Sequence, residues 1–70
     1  MAKKVGPTPA ELGETVGHME GMRDLPDPLT EDKQRERARV AANELGLTHE
    51  LDIVEFEDAW IEAYQASISG

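Results

Sequence analysis

The three aromatic residues of this chain, Phe56, Trp60 and Tyr64, follow one another at intervals of four. Ile53 and Ile68 extend the row at helical spacing, and Val54 and Ile61 flank it. Only a 3.6-residue period gathers these side chains on one side of a segment, with Glu55, Asp58 and Glu62 on the other. A short strand through Leu51, Asp52, Ile53 and Val54 fits their composition, but the helical period runs unbroken into Tyr64. The segment is therefore predicted as an amphipathic helix over about 49–67, with Thr48 placed to cap it.

Punctuation upstream marks out two further helices. Thr30 is a capping residue, Glu31 and Asp32 complement the dipole of a first turn, and Gly46 is a left-handed stop. A helix over about 31–45 follows, with Ala38, Ala41, Ala42 and Leu45 as its apolar face. Its Lys33, Arg35, Arg37 and Arg39 spread around the axis instead of forming a stripe. Pro26 and Pro28 disfavour helix in the residues before them, which makes 24–30 a proline-rich connector.

Before the connector, Thr8, Pro9 and Glu11 form a helix start with a capping box. Leu12, Val16, Met19 and Met22 supply an apolar face to a weaker helix over about 9–23. The same segment carries Gly13, Gly17 and Gly21, each costing about 1 kcal/mol relative to alanine. Such a glycine row either admits a second backbone at close range or leaves the segment flexible until bound. Nothing else in the segment offsets the cost, so flexibility is the favoured reading. Residues 1–7 are read as a disordered leader with Gly6 and Pro7 as breakers, and 8–70 as a single small domain. The fold class expected is all-α: two main helices in a helix-turn-helix-like corner, plus the weaker N-terminal one.

A 70-residue chain has a core that supplies only a few kcal/mol, so domains of this size commonly rely on disulfides, a metal or a partner. With no cysteine, disulfides and thiolate sites are excluded, and two histidines, His18 and His49, are too few for most nitrogen-ligated metals. Self-association or a protein partner remains as the expected stabiliser. The N-terminal lysines lack the apolar stretch of a signal peptide, and no segment has the length of a membrane span. A cytoplasmic, soluble protein is expected.

The net charge of −8 is unevenly placed. All seven lysines and arginines lie in residues 1–39, whereas residues 40–70 hold Glu44, Glu50, Asp52, Glu55, Glu57, Asp58 and Glu62 and no lysine or arginine. That half repels phosphate and anionic lipid, so direct contact with nucleic acid or a membrane is not expected.

Residues 39–48 resemble the turn of a helix-turn-helix: Ala42, three intervening residues, Gly46, then Leu47 and the capping Thr48. The resemblance implies a tight helix corner. It departs from the motif at Asp52, where an apolar residue belongs, and a recognition helix carrying Glu50, Asp52, Glu55, Glu57 and Asp58 repels DNA. An ordinary corner without DNA reading is the expectation.

No phosphate-cradling loop, calcium loop or nucleophile beside a base is visible, and Glu14 with His18 is too sparse for a metal site. No cofactor and no enzymatic activity are expected. The expected function is a small acidic protein-binding module that regulates or inhibits a larger protein. Ile53, Phe56, Trp60, Ile61 and Tyr64 would anchor the partner, and the acidic face of Glu55, Asp58 and Glu62 would steer it towards a basic surface. A homodimer through the same helix would compete for these anchors. Two alternatives use the chain differently: a DNA-mimic inhibitor presenting its carboxylates as a phosphate row, or a structural subunit of a larger complex. Small size, acidity and missing catalytic groups are shared by many phage-encoded inhibitors, an analogy of type and not of motif.

Overall fold

The computed structural model describes residues 6–25 and 27–69. They form three helices, α1 (Pro9–Arg23), α2 (Glu31–Glu44) and α3 (Glu50–Ser69), and no strand. The all-α expectation holds, with helix bounds within about a residue or two of those read from the caps. The expected leader lies mostly outside the described residues, as does Pro26; Gly6 and Pro7 are exposed and non-helical.

Each helix starts for a local reason. The Thr8 hydroxyl accepts from the Glu11 N–H while the Glu11 carboxylate accepts from the Thr8 N–H, both at 3.2 Å, closing a capping box on α1. Thr30 accepts from the Lys33 N–H to begin α2. Gly46, at φ +90°, ends it in the left-handed region where a side chain is strained. At α3 the expected cap moves by one residue: His49 Nδ1, not Thr48, accepts from a first-turn N–H, that of Leu51.

The dominant pairing is between α1 and α3, through the glycine row. Gly13, Gly17 and Gly21 are the buried residues of α1. A Cβ at Gly13 would overlap the Phe56 carbonyl oxygen, and one at Gly17 the Trp60 carbonyl. One at Gly21 would stand 2.7 Å from the Ser67 Cβ and 2.9 Å from the Tyr64 carbonyl oxygen. The contact advances in the same direction along both helices, so α1 and α3 run parallel. The favoured reading of this segment as flexible is thereby corrected. Backbone-to-backbone packing along the row is what offsets the helical cost of the three glycines.

The apolar face of α1 is corrected with it. Leu12 and Val16 pack at the edge of the core, but Met19 and Met22 are 64% and 56% exposed. The glycines point at α3, and a row spaced by four leaves those methionines on the far side of the helix.

The connector returns the chain and α2 lies antiparallel on α3, Gln34 meeting Gln65 while Arg39 meets Glu57 and Glu50. Ala38 and Ala42 are completely buried against the core, whereas Leu45, expected on the same face, is half exposed beyond it. The core itself is Ala38, Ala42, Ile53, Phe56, Trp60 and Tyr64. Trp60 and Tyr64 stack with ring centroids 4.8 Å apart and planes at 12°. Among the described residues no helix is long and apolar enough to cross a membrane.

Candidate functional site

The residues expected to anchor a partner are placed almost entirely inside the chain. Phe56, Trp60 and Tyr64 are fully buried and Ile53 nearly so, closed in by the glycines of α1 and the alanines of α2. In this arrangement none of the four is open to another molecule. Ile61 alone is half-buried and lines a shallow polar groove between the start of α2 and α3, with Glu31, Asp32, Arg35, Glu36 and Gln65.

Tyr64 also carries a polar role. Its hydroxyl accepts from the Leu29 N–H at 2.8 Å and donates to Asp24 Oδ2 at 3.0 Å, tying both ends of the connector to α3. Gln34 continues the network, donating to the Leu29 carbonyl and accepting from Gln65. Burial pushes the phenol above its ordinary value of 10 and the Asp24 carboxylate adds to this, while the Leu29 N–H opposes it. The Trp60 Nε1 hydrogen has no acceptor among the described residues, at a cost of about 1–3 kcal/mol.

Glu57 separates from the other acids of α3. Its side chain is 3% exposed and bridges two arginines of α2, Arg35 at 3.1 Å and Arg39 Nε at 2.6 Å. The Glu57 hydrogen bond and charge hold the Arg39 guanidinium still further above its ordinary range. The sequence carried a signal for this. Glu57 lies one helical turn from Ile53, Trp60 and Ile61, inside the apolar arc, and Arg35 and Arg39 are themselves one turn apart. Arg37 and Arg23 pair with Glu20 at the α1 end. Every described arginine is thus matched to a carboxylate.

The acidic face has no such partners among the described residues. Glu55, Asp58 and Glu62 are exposed along one side of α3, as sequence spacing predicted. What the spacing missed is that parallel packing sets Glu11 and Glu14 of α1 alongside them. Glu11, Glu14 and Glu62 rim a shallow groove of about 480 Å³ whose floor is Ala10, Ala59, Ala63 and Ala66. Glu55 and Asp58 continue its α3 edge by helical spacing. None of these five carboxylates makes an ion pair among the described residues, and no basic residue lines the groove. Like charges so placed raise a local negative potential.

One pair brought together by the fold has the look of chemistry. Ser67 Oγ and His18 Nδ1 are 2.7 Å apart, across 49 positions of sequence. The hydroxyl also lies 3.2 Å from the His18 carbonyl oxygen, and which of Oγ and Nδ1 donates in the first contact is set by the imidazole tautomer. The two contacts join α1 to α3 as a clasp across the end of their seam. Among the described residues no three histidine or acidic side chains gather as metal ligands.

Compared with protein-family models, curated proteins and solved structures, the chain matches none.

Proposed function

We propose that this protein is a small, non-catalytic binding module that regulates or inhibits a larger protein by laying its acidic α1–α3 face on a basic surface. One observation carries the reading. The aromatic row is taken up by the core, while Glu11, Glu14, Glu55, Asp58 and Glu62 stay exposed together with no cation beside them among the described residues. The docking surface accordingly moves from Phe56, Trp60 and Tyr64 to the carboxylates. Electrostatic complementarity of this kind speeds encounter and selects partners by charge pattern, and its strength falls with ionic strength. A partner that normally holds nucleic acid in a basic groove is the narrower, mimic form of the same proposal.

Capture of protein partners on the wild type and on a Glu55→Gln/Asp58→Gln/Glu62→Gln variant, at low and high salt, tests it. The expected result is a basic partner held by the wild type at low salt, released at high salt and absent from the variant. These exposed positions leave the core untouched, so circular dichroism of the variant should match the wild type. A partner retained equally by the variant at low salt would overturn the proposal.

A further inference from the structure

We infer that α2 is a latched lid over the aromatic row, opening separately from the α1–α3 pair, with Glu57 as the latch. The two helices are joined to α3 by different means. α1 is seated by backbone on backbone, where no side chain can swing away to let the helices part. α2 brings Ala38 and Ala42 as its fully buried side chains, which are the smallest apolar cover a helix offers, and Gln34, which is polar. Ala41 and the flanking Leu29 and Leu47 pack only at the edge of the core, and the remaining ties are polar: Glu57 to Arg35 and Arg39, Gln34 to Gln65, Arg37 to Glu20, and Tyr64 to the Leu29 N–H.

These contacts are asymmetric. Arg35 and Arg39 are 60% and 48% exposed and lose little by turning to water, whereas Glu57 is sealed beneath them. In the closed form the buried carboxylate is held by its charge-assisted bonds to these two arginines, and those bonds are lost when α2 lifts. The helix is bounded at one end by Gly46, with its positive φ, and at the other by the proline-containing connector, so both ends have turns about which it can move. The open form exposes the flank of Ile53, Phe56 and Trp60 that the alanines cover. Burial of the aromatic row therefore depends on the Glu57 ion pairs, and local opening of this kind is a measurable equilibrium.

Hydrogen–deuterium exchange of the full chain, resolved by helix, tests this. In the wild type, α2 amides should exchange faster than the core amides of α1 and α3. Glu57→Gln should raise α2 exchange by roughly tenfold or more, the factor expected for losing a charge-assisted hydrogen bond, and leave α1 unchanged. If that variant fails to fold, the Arg35→Gln/Arg39→Gln pair removes the latch from its exposed side and must give the same selective increase. Exchange rising in parallel in α1, α2 and α3 would overturn the inference, because the chain would then open as one unit. So would α2 exchange that neither variant changes.

Discussion

α1 and α2 flank the same helix, and both do so with small residues at intervals of four, yet the two seams are built on opposite terms. On α1 the small residues are Gly13, Gly17 and Gly21, and even a methyl group has no room. On α2 they are Ala38 and Ala42, whose methyl groups fill the remaining space and are completely buried. Both helices carry polar links to α3, His18 to Ser67 from α1 and Arg35 and Arg39 to Glu57 from α2, but the α2 seam carries more of them. Spacing by four thus says that a neighbour approaches. The size of the residue says how closely.

Exchanging the two chemistries is the strongest way to break this comparison. Gly17→Ala should destabilise the protein by about 3 kcal/mol, because the new methyl meets the Trp60 backbone, which cannot turn aside. That loss should appear as a lowered thermal midpoint even though alanine improves helix propensity by about 1 kcal/mol. A raised midpoint would mean that the helices sit further apart than described. The mirror change, Ala42→Gly, should cost between about 1 and 2 kcal/mol, from helix propensity and a lost buried methyl. Denaturant melts of the two variants measured together give the contrast directly.

Tyr64→Phe sharpens the comparison at the connector, where it should cost about 1 kcal/mol by leaving the Leu29 N–H without its acceptor. It also carries a pH signature. Because the folded phenol titrates above its unfolded value of about 10, the stability it contributes is complete below pH 10. That contribution is then lost as pH rises through the folded value. As the chain has a single tyrosine, phenolate absorbance reads the group directly. Urea midpoints falling above pH 10 in the wild type but flat in Tyr64→Phe are the expected pattern. The smallest effect belongs to the outward side of α1. Met19→Gln should change stability by no more than about 0.5 kcal/mol, and a larger loss in a thermal melt would place that methionine against a neighbour.

How far the sequence could be read follows from which signals were local. The starts of α1 and α2 and the stop at Gly46 rest on contacts of three or four residues, and each was visible in the capping residues. The aromatic face of α3 was visible as well, because its period is regular. Which face of α1 turns inward was not. Hydrophobicity pointed to Met19 and Met22, and the glycines that make the seam have no hydrophobic side chain to announce it. The acids of α3 look alike in sequence, yet Glu57 is enclosed and Glu55, Asp58 and Glu62 are not, a difference set by where Arg35 and Arg39 arrive. The bonds from Tyr64 to Leu29 and from Ser67 to His18 span 35 and 49 positions, beyond the reach of any local pattern. Likewise, Glu11 and Glu14 join the acidic face only because α1 and α3 run parallel.

The glycine seam also bears on how such a protein varies through time. Leucine, isoleucine and valine replace one another in ordinary cores at modest cost, so the hydrophobic pattern of a lineage drifts. Three places that admit only a hydrogen atom have no synonym to drift to. In a divergent relative, the spacing of Gly13, Gly17 and Gly21 ahead of an aromatic helix should outlast the identity of the aromatics themselves.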